Sequence, residues 1–459
     1  MLQNSGHDSF DEIYDVVVIG GGPGGSTVAA LVAEKGRRVL VLERAKFPRF
    51  HIGESLMPES YWVFERLGML PKLRDSEFVK KYSVQFITAT GRESAPFFFE
   101  DRDPRECSQT WQVPRDRFDL MMLDNAREHG ATVWEEANVT DVILEPTDTD
   151  TLPAARGVVV QRKGQAKPIR IGARVVVDAT GTNTLLARKL GIRRSDPKLK
   201  KAGIFSHYKG CRRDEGKHGG ATLVLSTKEN DGWFWYIPLD DDVTSVGVVG
   251  DIDRLVTNRQ GTPEQVLDEE IRNCPGLQGR MDGAERFAPV HVTSDFSYRA
   301  SRCAGEGWVL VGDAFGFLDP MYSSGVFLAL KSGELAADAI NEAFETQDFS
   351  AARLGKWGET VSHGMTMIRK LVYAFYTKEF SFGRFVKTYP QHKNDIIDLL
   401  VGDVFRPEVE AVFEPMSTMA PIPETIPLEK PGKEDDKVTR GQGDKVTEDK
   451  TRNRATAGT

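Results

Sequence analysis

Cysteine is scarce: Cys107, Cys211, Cys274 and Cys303 are the only four in 459 residues, too far apart for a C-x-x-C pair. Such spacing argues against a disulfide framework or a zinc site, so no metal is expected, and it suits a reduced, cytoplasmic chain. No apolar run approaches the roughly 20 residues that cross a bilayer, so no membrane span is expected. The opening stretch, MLQNSGHDSFDEIYD, is acidic and polar, the opposite of a secretory leader. Positive charge is also in deficit. Lys and Arg total 60 against 68 Asp and Glu, a formal net charge of -8, which leaves no basic footprint for nucleic acid.

What remains is ordinary globular composition, 40% hydrophobic, enough for one large two-part body. Residues 14–53 read as strand, Gly-rich turn, helix and strand, the βαβ pattern. A mixed region follows to about residue 178, with a helix expected over Arg117–Gly130. Residues 201–300 are β-rich. After Trp308 a strand and a loop lead into a long helical run reaching Phe405, with its helix expected to begin near Val326. From Pro421 the chain turns charged and poor in aromatics (EKPGKEDDKVTRGQGDKVTEDKTRNRATAGT). Such a segment buries too little apolar surface to offset the entropy of ordering, so residues 421–459 are expected to be a disordered tail.

The stretch DVVVIGGGPGGSTVAALVAEKGRRVLVLER carries the most specific N-terminal motif. Gly20, Gly22 and Gly25 satisfy G-x-G-x-x-G directly after the apolar strand Val16–Ile19. Glycine there permits the tight turn and lets backbone N–H groups approach a pyrophosphate at the helix N-terminus. Glu43 closes the next strand about 20 residues on, where an acid accepts ribose hydroxyls. Two later stretches choose between NAD and FAD. VVVDATGTNTLLAR is a strand ending at Asp178 and followed by Gly181. GWVLVGDAFGFLDPMYSSGVFLAL is a strand ending at Gly312 and Asp313, then a loop and a helix. An aspartate after a second glycine turn can bond the ribityl chain of a flavin, which an NAD protein has no reason to carry.

These elements together resemble the FAD-binding fold of the para-hydroxybenzoate hydroxylase superfamily. The resemblance implies an α/β fold: an FAD-binding Rossmann-like domain with an inserted β-rich substrate domain and a helical C-terminal region. Its boundaries would be residues 1–350 (the insertion at about 80–110 and 200–300), 351–420, and the tail from 421. It also implies cofactor contacts from Ser26, Arg44, Arg115 (in VPRDRFD), Gly181, Gly312, Asp313, Pro320 and Gly325, beside Gly20, Gly22, Gly25 and Glu43.

The stretch GWFWYIPL places two tryptophans two residues apart. In a strand Trp233 and Trp235 share one face and form an aromatic wall. WFWYIP satisfies W-x-W-x-I-P through Trp233, Trp235, Ile237 and Pro238. FLDPMYSSG satisfies F-x-x-P-x-x-S-x-G through Phe317, Pro320, Ser323 and Gly325. With FPRFHIGESLMPES and LVYAFYTKEFSFGRFV, these resemble the flavin-dependent halogenases over nearly the whole chain before the tail. The resemblance implies that the wall flanks the flavin and keeps organic substrate from a flavin hydroperoxide. Chloride or bromide would then be oxidised, with O2, to hypohalous acid. Backbone at Ser324 and Gly325 would hold the halide, which suits free N–H groups at a helix start.

A lysine in SEFVKKYSVQF would direct the hypohalous acid onto the ring. The family's spacing fits Phe78, Lys81 and Tyr82, whereas strand alternation puts Lys80 on the face of Tyr82, Val84 and Phe86. Tryptophan halogenases carry a glutamate where this chain has Tyr322. The pattern therefore resembles the branch that acts on electron-rich phenols or pyrroles, free or tethered to a carrier protein. Lacking a second Rossmann unit for a nicotinamide, the chain would draw reduced flavin from a partner flavin reductase. Three alternatives share parts of this pattern. An FAD-dependent aromatic hydroxylase would use the tryptophans as pocket wall. A geranylgeranyl-reductase-like flavin reductase carries a related aromatic motif followed by G-x-G, where this chain has Gly247 and Gly250 as G-x-x-G. The third is a non-catalytic FAD-binding protein.

Overall fold

The computed structural model describes residues 9–294 and 296–432. Its first sheet is built on strands buried on both sides, the pattern of a parallel sheet covered by helices. Strand Glu12–Ile19 lies at its centre, between Ile169–Asp178 and Val39–Leu42. Thr132–Trp134 extends one side and Trp308–Leu310 the other, all in parallel. Ala154–Arg162 and Ala137–Glu145 add an antiparallel ribbon to Ile169–Asp178. Helix Pro23–Ala33 packs between helices Arg115–Glu128 and Ser324–Thr346. The second of these helices, expected over Arg117–Gly130, starts two residues earlier, after Pro114, which cannot donate to a preceding turn.

The second sheet draws on distant parts of the chain. In order it runs Glu285–Arg286, Lys201–Lys209, Val243–Asp251, Gly232–Pro238, Thr222–Ser226, Ser83–Ile87 and Phe97–Phe98, with His291–Ser294 also on Lys201–Lys209. Strand Gly232–Pro238 is buried on both faces, and its faces belong to different cores. Trp233, Trp235 and Ile237 pack into the core shared with the first sheet. Phe234 and Tyr236 pack the other way, with Val266 and Leu267 of helix Pro263–Asn273. The two tryptophans thus form one wall, with ring centroids 6.0 Å apart.

The helical run after the loop is divided into helices Ser324–Thr346, Ala351–Leu354, Gly358–Phe375, Phe382–Thr388 and Lys393–Val401. Residues 421–432, expected within the disordered tail, lie against the body. Arg369 donates to the carbonyl of Glu424, Arg299 to those of Ile426 and Pro427, and Glu429 N–H to Ser301. Composition misses this because the anchors are backbone carbonyls, which every residue supplies. Residues 433–459 of that expectation lie outside the described residues. Among the described residues no helix is long and apolar enough to cross a membrane.

Local geometry explains the glycine turn. Gly20 has φ +107°, and a Cβ there would stand 2.4 Å from the Ala179 carbonyl oxygen; one on Gly25 would stand 2.0 Å from that of Gly20. Gly25→Ala should therefore cost about 3 kcal/mol, the upper end for overpacking, and lower FAD retention. Denaturant unfolding of the apo-protein and flavin absorbance after purification measure both; a variant as stable as the parent would mean that the helix can shift.

Candidate active site

Four strand ends of the first sheet open into one cleft, with about 1030 Å3 of space when its open mouth is included. The turns after Ile19, Leu42, Asp178 and Leu310 line it, as expected for ligand sites at the carboxyl ends of parallel strands. Gly20, Gly22, Glu43, Arg44, Arg115, Gly181, Gly312, Asp313 and Gly325 are among its lining residues. Glu43 also holds the turn: its two oxygens accept from Gly21 N–H and Ala45 N–H, both at 2.8 Å.

Three residues expected at the cofactor do not line this cleft. Gly25 and Ser26 face inward on helix Pro23–Ala33, where Gly25 packs on Gly20 and Ser26 Oγ donates to the Gly21 carbonyl. Pro320 lines a neighbouring cleft instead. Arg49, His51, Asn138 and Asn183 line the first cleft without having been singled out from sequence. For Arg49 and His51 the signal lay in FPRFHIGES; the two asparagines had none.

A dinucleotide fits what is present. The N-terminus of helix Pro23–Ala33 and the cations of Arg44 and Arg49 suit a pyrophosphate. Asp313, whose carboxyl is pushed up to about 7 by burial against the weaker pull of Arg115, can donate or accept toward ribityl hydroxyls. Arg115 is already committed to protein. It donates to Asp119 through Nε and Nη2, and its Nη1 donates to the carbonyls of Ile52 and Gly53.

A second cleft adjoins the first. Ile52–Ser55, Thr222, Val224, Trp233, Trp235, Ile237, Phe317, Pro320, Met321 and Ser323 line it, and Gly325 and Val326 line both clefts. The helix between them starts at Ser324, two residues before the expected Val326, because Ser323 turns the chain with φ +58°. Gly325 is narrowly seated, since a Cβ there would meet the Phe317 ring at 2.9 Å. Ser324 is buried and lines neither cleft. Pro238 is likewise absent from the wall's cleft, because alternation turns it to the opposite face from Ile237.

The wall is tethered at both rings. Trp235 Nε1 donates to Ser245 Oγ at 3.0 Å, and a Cβ on Gly247 would stand 2.3 Å from the Trp235 ring, so that glycine seats an aromatic. Trp233 Nε1 donates to Tyr376 Oη at 3.0 Å, and Tyr376 donates to Asp319 Oδ2 at 3.0 Å. Asp319 also accepts from Met321 N–H, and burial raises its carboxyl to about 6.

Lys81 is 4% exposed. Its Nζ donates to Ser55 Oγ at 2.9 Å and to the Leu56 carbonyl at 3.0 Å, and Ser55 lines the second cleft. Burial lowers its pKa to about 7. Lys80 is exposed. Strand alternation does not run through this stretch. Val79–Lys81 pairs with Thr110–Gln112 in a two-stranded sheet, and a new strand in another sheet starts at Ser83.

The tryptophan halogenase family model matches residues 15–111 and 100–420. The chain belongs to that family. It is 31% identical over 91% of its length to a 1H-pyrrole-2-carbonyl-[peptidyl-carrier protein] chlorinase of Pseudomonas fluorescens, 95% of which is covered. A corresponding brominase of Pseudoalteromonas luteoviolacea is 33% identical over 85% of this chain and 92% of its own. In structure, the flavin-dependent brominase Bmp2 superposes with TM-score 0.77 at 31% identity, covering 88% of this chain and 98% of its own. This protein is a flavin-dependent halogenase, an FAD enzyme that oxidises halide with O2 and halogenates an aromatic ring. The hydroxylase, reductase and non-catalytic alternatives are thereby set aside.

The Lys81 environment makes the halogenase sensitive to pH in a defined sense. With the folded pKa near 7 and the unfolded one near the ordinary value of about 10.4, the lysine opposes folding most below pH 7. That opposition fades between about pH 7 and 10 as the unfolded chain alone holds the proton. Lys81→Met should therefore gain stability relative to the parent at pH 6, with the gain shrinking by pH 9. Denaturant melts at both pH values test this; a difference independent of pH would mean that Lys81 is not desolvated.

Proposed function

We propose that this halogenase acts on a pyrrole ring held as a thioester on a peptidyl-carrier protein. Its halide would lie at the seam of the two clefts and its substrate in the second. Support comes first from the junction itself: Gly325 and Val326 border both clefts, and Lys81 reaches the second through Ser55. The substrate class rests on the names of the two bacterial relatives and on Tyr322, a phenol where tryptophan halogenases carry an acid. A pyrrole needs such an acid less, because its own nitrogen lone pair activates the ring.

FAD, reduced by a separate flavin reductase and supplied with O2, provides the oxidising equivalent that turns chloride or bromide into hypohalous acid. The protein's part is placement. Gly20, Gly22, Glu43, Arg44, Gly181, Gly312 and Asp313 would hold the cofactor. The Gly325 N–H, next to that of the buried Ser324, would bind the halide on the seam at the positive end of helix Ser324–Thr346. Trp233, Trp235 and Ile237 keep the organic substrate from the cofactor. Lys81 hydrogen-bonds hypohalous acid or carries its halogen as a haloamine, and so directs it to one ring carbon. Dependence on reduced flavin from nicotinamide-driven partners puts the enzyme in the cytoplasm.

The test supplies the full chain with FAD, flavin reductase, NADH, O2, bromide or chloride and pyrrole-2-carbonyl carrier protein. Mass spectrometry should find halogen in place of ring hydrogen. If free phenols are halogenated and the thioester is not, the substrate reading falls.

Two sets of variants test the sites. Lys81→Met should lose about 100-fold or more of the regiospecific product, while a β-diketone trap still captures hypohalous acid; Lys80→Met should keep its product. Ser324→Ala should be mild because the backbone binds, whereas Gly325→Pro removes a donor and should abolish halide use. Parental bromide dependence in both variants would move the halide elsewhere.

A further inference from the structure

The second cleft contains a carboxylate that the halogenation scheme above leaves unused. Glu54 is 3% exposed and lines the cleft directly beside Ser55, the partner of Lys81. Its Oε1 lies 2.6 Å from Nε2 of His207, which is also buried. Its Oε2 is closed from solvent and has no partner within the protein. A buried carboxylate oxygen without a partner has given up water and gained nothing in return, and a proton or hydrogen bond from a ligand in the cleft would satisfy it.

The backbone around Glu54 is fixed from both sides. Val113 N–H donates to its carbonyl at 2.7 Å, and Leu56 N–H donates to the Trp111 carbonyl at 3.1 Å. Arg115 holds the carbonyls of Ile52 and Gly53. His207 comes from strand Lys201–Lys209 of the second sheet and is not among the residues that line the cleft. Its ring meets Phe50 edge-on at 5.8 Å and lies 6.2 Å from Phe287, both exposed. The charged groups acting on it are Glu54 and Asp116, with His291 nearby on the neighbouring strand. Burial disfavours the imidazolium, but Glu54 and the more distant Asp116 outweigh it and raise the His207 pKa above its ordinary value.

We propose that Glu54, paired with His207, is the base that takes the ring proton displaced by halogen. This rests on the second cleft being where hypohalous acid meets the aromatic ring. The ring's π electrons form the carbon–halogen bond, and the oxygen–halogen bond of hypohalous acid breaks with its electron pair on oxygen. The Lys81 ammonium protonates that oxygen, and water leaves. The ring C–H bond then breaks, its proton passes to Oε2 of Glu54, and its electron pair restores aromaticity. One proton, returned from Glu54 through His207 and solvent, resets Lys81. Overall, arene and hypohalous acid become haloarene and water. The carboxylate thus reaches the intermediate from Glu54, a different part of the chain from Tyr322.

A merely structural role, pinning residues 52–56 to the second sheet, predicts other behaviour. The FAD-loaded full chain is assayed with pyrrole-2-carbonyl carrier protein carrying protium or deuterium on the ring carbons. The parent should show an isotope effect near unity, since proton loss follows quickly on halogen addition. Glu54→Gln keeps the shape and a hydrogen bond to His207; it should lose about 100-fold in product formation and gain an isotope effect well above unity. Its capture of hypohalous acid by a β-diketone trap should stay parental. Glu54→Asp, which restores the carboxylate, should recover part of the rate and lower the isotope effect. NMR of histidine-labelled protein without substrate should find His207 titrating above the ordinary range in the parent and lower in Glu54→Gln. An isotope effect that stays near unity in Glu54→Gln overturns the proposal, as does an equal loss of trap halogenation. A parent that halogenates the trap and no pyrrole overturns the substrate reading, and this proposal with it.

Discussion

A helix exposes its unpaired N–H groups at one end only, and in this halogenase that end lies on the seam between two clefts. Ser323, left-handed at φ +58°, allows helix Ser324–Thr346 to start at once from the loop, and Gly325 and Val326 face both sides. Displacing the helix by one turn, about 5.4 Å, would take those residues off the seam. The proposed halide site and the junction of the two clefts therefore share one constraint. The Phe317 ring, close against Gly325, leaves little room for any side chain there.

The aromatic wall is locked to the same loop. Trp233 reaches Asp319 through the Tyr376 hydroxyl, and Asp319 caps the turn that precedes Ser323. Helix Gly358–Phe375 ends one residue before Tyr376, so wall, loop and C-terminal helices meet in one hydrogen-bonded chain. In a water-poor site such a chain is strong when every member is satisfied. Gly247 serves the wall by its lack of a side chain, giving the Trp235 ring space.

Opposite in origin is the stretch from Ile52 to Ser55, held by a buried ionic cluster. Arg115 and Arg49 both bond Asp119, and together they keep its carboxyl below the ordinary range although burial alone would raise it. Removing one member of such a cluster strands a buried charge, typically a loss of about 3–5 kcal/mol. That rigidity keeps Glu54 beside His207 and Ser55 beside Lys81, although the partners come from different sheets.

Local pattern alone determined much of this. G-x-G-x-x-G after an apolar strand dictates a βαβ turn because only glycine tolerates the backbone approach at Gly20 and Gly25, and a two-residue period placed Trp233 and Trp235 on one face. Gly25 and Ser26, both expected at the cofactor, pack inward on their helix and do not line the first cleft. Local pattern also carried alternation through Tyr82, where the chain changes sheets. Composition read residues 421–432 as free, because backbone carbonyls that Arg299 and Arg369 bind leave no mark in side-chain chemistry. Only the tertiary structure brought Glu54 to His207, Lys81 to Ser55 and Tyr376 between Trp233 and Asp319. These pairings span from 26 to 153 residues of chain. No sequence period reaches that far; the packing of two sheets and a helix start decides it.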